Sequence, residues 1–293
     1  MLCQVNRVCR YHPNYEEHTN MKGPNSIQPT LAILKQGMRV LSAIACILLV
    51  QPCTGGVRVV GELLAYDDFA SLSGGEGFAS ASSWTATAGA STGLSSDPTG
   101  LSFDGLVCAG GAMKLTVQDG QLIRAARPLD KSLNSINELF VSFLWRTDWD
   151  GSGSLGQQLE LGEWRIGARN GILCCHKYPY KPEVTGGKVR SGETYFIVVG
   201  FNKNKKTVQM WVNPHVGAEP PQPTGTTTIG SGDMPVAQAM SFFVGDCYGY
   251  GVRWKGHSLW VDEFRIGRSW NDVVVPAKEN PPADTQVPTV SLR

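Results

Sequence analysis

The sequence predicts an all-β protein, an antiparallel sandwich of two sheets, and three observations carry the prediction. From residue 63 onward the chain is a succession of short apolar or alternating runs separated by Gly, Ser, Pro, Asn and Asp. Asp119-Gly120 and Asn170-Gly171 are dipeptides that favour tight hairpins, and each sits between two such runs. No segment shows the i, i+3, i+4 apolar spacing of an amphipathic helix. About ten strands at this spacing fit a sandwich or barrel rather than alternating β-α units.

The strands follow in order. "LLAYDDF" (63–69) opens, with Leu63, Ala65, Asp67 and Phe69 on one face by alternation. "MKLTV" (113–117) and "QLIRAAR" (121–127) flank Asp119-Gly120 as a hairpin. "ELFVSFLWR" (138–146) is apolar on both faces, as a central strand covered on both sides would be. "QQLELGEWRIG" (157–167) and "GILCCHKY" (171–178) flank Asn170-Gly171. "TYFIVVGFN" (194–202) and "KTVQMWVNP" (206–214) are joined across "KNK", and "MSFFVGD" (240–246) follows. The last strand, 258–267, places Asp262 in register with Trp260, Phe264 and Ile266. An acid in line with core-facing residues must be paired, hydrogen-bonded or metal-bound.

The chain has 293 residues, 34 of them glycine and 17 proline, with a formal net charge of +1. One large sandwich absorbs most of that length. The balanced charge, without any block of one sign, gives no support for nucleic acid or for an acidic polymer as partner. "MRVLSAIACILLV" followed by "QPCTGG" has the form of a secretory signal, residues 38–56, too short for an ordinary membrane span. Cleavage falls near Cys53–Gly56; the alternatives are a lipoprotein signal ending at Cys46 or Cys53, and a buried strand at 40–50. Residues 1–37 read as a disordered upstream extension, with Met38 the working initiator. The expectation is a secreted or cell-surface protein with no stable membrane insertion once the signal is removed. After Pro276 the composition turns Pro-rich, and residues 277–293 read as a linker to a following module. Cys108, Cys174, Cys175 and Cys247 suffice for two disulfides of open connectivity. A zinc site at "CCH" (174–176) lacks a second ligand pair at finger-like spacing.

"YDDF", "FVSFLWR", "TVQMWVNP" and the closing run 261–276 resemble the concanavalin A-like, laminin G-like jelly-roll domains of secreted bacterial proteins, over residues 63–276. The resemblance implies two curved antiparallel sheets, neighbouring N- and C-terminal strands, and calcium or a glycan as ligand. The same superfamily contains glucanases, so fold alone leaves function open. Those enzymes carry Glu-x-Asp-x-x-Glu on one strand; here "ELGEW" offers Glu160 and Glu163 at odd separation, with Gly162 between them. Read as one strand, this string puts the two acids on opposite faces, so they are read as surface charges. The G-x-G-x-x-G match at 151–156 lacks a following helix. His176, His215 and His257 are dispersed, and "DWDGSGS" has Leu159 where a calcium loop needs Glu.

Binding has more support in the residues. On "TVQMWVNP", Trp211 stands with Gln209 and Asn213 on one face, the pattern of a ring that stacks on a sugar while amides take its hydroxyls; the alternative is that Trp211 packs under a loop. Two loops offer Tyr178 and Tyr180, and Tyr248, Tyr250 and Trp254, beside lysines and an arginine. Asp67 repeats the Asp262 anomaly in the first strand. If the first and last strands pair, the two acids approach on one face and share a partner: a structural calcium ion, an arginine, or water at the sheet edge. The expected function is a non-catalytic module that binds a glycan or a matrix component. A diverged hydrolase or lyase and a structural spacer are the alternatives.

Overall fold

The computed structural model describes residues 62–70, 84–88, 93–118, 122–129, 131–149, 155–179, 181, 183–217, 220–230, 232–246 and 256–277. The chain divides after Gly56, and all of these residues belong to the second unit. The expected signal, the upstream extension and nearly all of the C-terminal linker lie outside the described residues, as do Tyr180, Cys247, Tyr248, Tyr250 and Trp254. Among the described residues no helix is long and apolar enough to cross a membrane.

The described residues form two antiparallel sheets, as the sequence predicts. One consists of β1 (Leu63–Asp67), β3 (Leu94–Asp97), β4 (Ala112–Thr116), β6 (Glu138–Thr147), β11 (Thr194–Asn202), β12 (Thr207–Val212), β13 (Gly225–Thr228) and β15 (Ser258–Gly267). Its order is β13-β12-β11-β6-β15-β4-β3, with β1 also paired to β15. The other has order β10-β9-β8-β7-β14-β5-β2. Its strands are β2 (Thr85–Ala88), β5 (Ile123–Pro128), β7 (Leu155–Leu161), β8 (Trp164–Arg169), β9 (Ile172–Lys177), β10 (Glu183–Lys188) and β14 (Ala239–Asp246). A single described helix, α1 (Trp270–Val273), follows β15.

Alternation sends one face of every long strand between the sheets. Val141, Phe143 and Trp145 of β6, Ile197, Val199 and Phe201 of β11, and Leu159 and Phe242 from the opposite sheet are all fully buried there. Phe242 meets Phe143 edge-on at 5.5 Å, one of the ring contacts that fix the spacing of the layers. The eight-stranded sheet also carries a second apolar layer on its outer side. Leu144, Phe196, Val198 and Trp211 are covered there by Leu101, Leu106, Trp270, Val273 and Val274. This is why β6 and β11 read as apolar on both faces.

The central strands match the sequence reading closely, and Asn170 (φ 50°) with Gly171 (φ 73°) forms the expected hairpin between β8 and β9. Three readings are corrected. The run 157–167 is two strands, because Gly162 takes φ 62° and turns the chain between β7 and β8. The 113–117 and 121–127 runs form no hairpin: β4 and β5 belong to different sheets. Finally, β2, β3, β10 and β13 were not anticipated. All four are outermost strands, where one neighbour suffices and polar sequences such as "TATA", "LSSD" and "GTTT" carry no apolar signature.

Candidate functional site

Asp262 does not face the sandwich core. Opposite β6, Asp262 stands against Leu144 and Arg265 against Ser142, so Glu263 and Phe264 together oppose one residue. This is a β-bulge, with Glu263 at φ 49°. It reverses the alternation: Trp260 and Asp262 point to the outer layer while Phe264 and Ile266 point to the core. The bulge sits where β15 changes neighbours, pairing with β4 up to Val261 and with β1 from Phe264. In that gap the loop 98–111 brings backbone donors that no strand receives. Leu101 N donates to Asp262 Oδ2 at 2.7 Å, and Ala109 N to Glu263 Oε1 at 2.5 Å. Arg265 holds Glu263 from the other side at 2.9 Å.

Asp67 points the opposite way. It pairs across from Phe264, and its carboxylate accepts from Trp84 Nε1 at 2.7 Å and Arg127 at 2.9 Å on the core side. The expected shared cation site of Asp67 and Asp262 is therefore overturned: the acids lie on opposite faces of one sheet. Asp67 is held by an arginine, one of the partners foreseen. Asp262 is not held by any cationic side chain among the described residues, although it is only 1% exposed. Burial pushes its carboxyl up to about 7, against the pull of the Leu101 and Glu263 amides, and the charges of Glu263 and Asp68 add to the rise. A side chain on Gly100 (φ 64°) would lie 3.0 Å from Asp262 Oδ2 and 3.1 Å from the Gly110 carbonyl. One on Gly110 would strike the Asp68 carbonyl. Gly100 thus leaves open a space flanked by Asp262 Oδ2 and the Gly110 carbonyl, oxygen atoms of the donor type calcium takes. No three Asp, Glu, His or Cys side chains converge as metal ligands among the described residues, so an ion here would rest on Asp262 and backbone carbonyls.

The expected sugar platform is also corrected. Trp211 is 3% exposed, its Nε1 donates to Pro221 O at 2.8 Å, and its ring packs on Trp270 at 5.2 Å and Phe140. Gln209 is half-buried beside it. Asn213, at φ 52°, spends its side-chain oxygen on Phe196 N at 2.8 Å, so it serves the strand end. The thiols of Cys108, Cys174 and Cys175 are free. Cys108 packs against the outer layer of the eight-stranded sheet, Cys175 lies between the sheets, and Cys174 faces outward from the seven-stranded sheet; these three cannot pair with one another.

Tyr178 leads to a different surface. The outer face of the seven-stranded sheet carries a straight row of paired residues, Ala126, Ser241, Glu160, Arg165, His176 and Glu183, running from β5 to β10. A parallel row runs Arg124, Phe243, Gln158, Gly167, Cys174 and Thr185. Glu160 bridges the rows, taking Arg124 at 2.7 Å, Arg165 at 3.0 Å and Ser241 Oγ at 3.1 Å. The Phe243 ring lies between the same two guanidiniums, 5.7 Å and 5.5 Å from its centroid. Arg165 also lies 4.9 Å from the ring of Tyr178, which is 54% exposed, and Arg169 pairs with Glu183 at 3.3 Å.

The floor of this face is dry and its rim is wet. Gln158 and His176 are almost wholly buried, whereas the Arg124 side chain is 32% exposed and that of Glu183 31%. Burial, reinforced by Arg169 and Arg165, lowers His176 to about 4 and keeps it neutral. As placed, the Gln158 amide donates to His176 Nε2 at 3.2 Å, so the imidazole carries its proton on Nδ1. Glu160 and Glu183 are three strand spacings apart, roughly 14 Å. Paired glycosidase carboxylates stand about 5–9.5 Å apart. Glu163 is in the β7–β8 turn beside Lys177.

Of the predicted aromatic residues that the structure describes, only Tyr178 joins this face. Arg124, Gln158, Glu160, Arg165, Phe243 and His176 were missed as a group. The signal was present as alternation in "QLEL" (158–161) and "WRIGAR" (164–169), whose polar residues share one face. What alternation omits is which strands lie side by side.

No family model matches the chain, and no curated protein does. Solved structures similar to it include the botulinum neurotoxin serotype C1 binding domain, 12% identical with a TM-score of 0.43 over 54% of this chain and 40% of that one. A sialidase is 14% identical at a TM-score of 0.47 over 73% of this chain and 19% of its own. The cellulose induced protein Cip1 is 14% identical at 0.43 over 70% and 97%. The chain thus spans about two-fifths of the toxin domain's length. Likenesses this distant carry no argument about what the chain binds.

Proposed function

We propose that this chain is an exported, non-catalytic module of the concanavalin A-like, laminin G-like kind that binds carbohydrate on the outer face of its seven-stranded sheet. One observation carries the reading: arginines and carboxylates stand in register on that face, partly in water, over the buried Phe243 ring and beside the exposed ring of Tyr178. Carboxylate and guanidinium groups take adjacent sugar hydroxyls in pairs, and an exposed tyrosine ring stacks on sugar C–H faces. A binding screen against an oligosaccharide panel tests this, with Tyr178→Ala expected to weaken capture at least tenfold. A protein that binds no glycan and no matrix preparation is instead a spacer. The separation of Glu160 and Glu183 supports a non-catalytic role; sugar release abolished by Glu160→Gln would overturn it.

Export rests on the 38–56 segment, and mass spectrometry of the mature protein should find an N-terminus shortly after the apolar run. An intact species beginning at Met1 would defeat it. The calcium reading moves from the Asp67–Asp262 pair to Asp262 with the Gly110 carbonyl, where an ion would neutralise a buried carboxylate. Chelation should then lower the melting temperature of the wild type and leave Asp262→Asn unchanged. A wild type indifferent to chelation removes the ion from the account.

A further inference from the structure

We infer that the ligand of the seven-stranded face is an acidic oligosaccharide, its carboxylates received by Arg124 and Arg165. The inference rests on the saccharide reading above and adds the class of sugar. Among the described residues, Arg124, Arg165, Arg169 and Lys188 occupy outward positions of this face, against the carboxylates of Glu160 and Glu183. The excess is therefore positive, and it is localised on one side of a molecule whose formal net charge is only +1. His176 reports the same field from within, since the nearby guanidiniums add to the burial that keeps its ring neutral.

The geometry of Glu160 sharpens the argument. One carboxylate serves two guanidiniums and the Ser241 hydroxyl as well. Each guanidinium has five N–H donors in a planar fork, so Glu160 leaves most of them unused. Both arginines keep part of their surface in water, 32% for Arg124 and 20% for Arg165. A sugar carboxylate matches such a fork with two parallel hydrogen bonds, while a hydroxyl satisfies a single donor. Glu160 then acts as a positioning residue that holds the two arginines together beside Phe243.

The test compares polygalacturonate fragments with the same fragments after carboxyl reduction, by calorimetric titration at low salt, with dextran sulfate as a third ligand. The acidic fragments should bind at least tenfold tighter than the reduced ones, and Arg165→Gln should abolish the difference while the thermal melt confirms folding. If reduced fragments bind equally well, the acidic class is wrong and the saccharide reading stands. If neither binds, nor does any other glycan tested, both fall. If dextran sulfate matches the acidic fragments and Arg165→Gln changes nothing, the attraction is diffuse charge and the inference is overturned.

Discussion

The two sheets turn opposite kinds of surface outward. On the eight-stranded sheet, loop 98–111 and helix α1 close a second apolar layer over Leu144, Phe196 and Trp211, and buried carboxylates fasten that cover by its backbone amides. On the seven-stranded sheet the corresponding positions hold Glu160, Arg165 and His176, with charged groups reaching solvent at the rim. The same alternation of side chains builds both faces. A sheet needs only one apolar face to fold, so what occupies the other is free to follow use. On the first sheet it deepens the core; on the second it is available for recognition.

Replacing side chains on each face should therefore move different quantities. The largest effect belongs to the sealed side: Trp211→Ala should destabilise by about 3–5 kcal/mol, as expected for a buried tryptophan, read as a fall in the urea midpoint at constant slope. A loss under 1 kcal/mol would show that the outer layer is not a true core. Next is Asp262→Ala, which strands the Leu101 and Glu263 amides in a buried place and should cost about 2–3 kcal/mol.

An effect of similar size comes from pH on the open side. His176 is lowered from 6.5 to about 4 in the folded chain, so unfolded protein takes up the proton first. Its contribution is fully present above pH 6.5 and is lost as pH falls from there toward 4. The difference in stability between wild type and His176→Gln should shrink over that window, by on the order of 3 kcal/mol if the whole shift is realised. A difference independent of pH would mean that the imidazole is not held neutral. Smallest of all, Tyr178→Ala should change stability by no more than about 0.5 kcal/mol while impairing binding, since the ring is over half exposed.

Much of the framework was legible in the sequence, because strands such as β6 and β11 are long, apolar and buried on both sides. The outermost strands were not, since they satisfy one neighbour and keep polar side chains. The bulge at Glu263 was invisible for another reason. A non-glycine residue there takes a positive φ without any glycine to announce it, so Trp260 and Asp262 face outward while Phe264 and Ile266 face the core as read. The same inversion dissolved the Asp67–Asp262 pair. The proposed binding face was half legible: each strand displays its polar alternation, but the alignment of Glu160, Arg165 and His176 comes from pairing between strands.

The pairing of β1 with β15 has a mechanical consequence. Leu63 stands opposite Gly267, and Glu62 reaches Arg268 at 3.3 Å, so β1 begins where β15 ends, before the chain runs on through α1 to loop 98–111. Tension between those points would load the outermost rung of the antiparallel ladder first and peel it rung by rung, as a zipper opens. Shear, in which all rungs share the load, is not engaged. Under pull, the bonds of Val107 to Val275 and of Ala277 to Gly105 would part before this seam is loaded; β1 would then leave before the sheets separate, and Asp262 and Glu263 mark the place where peeling meets the next strand.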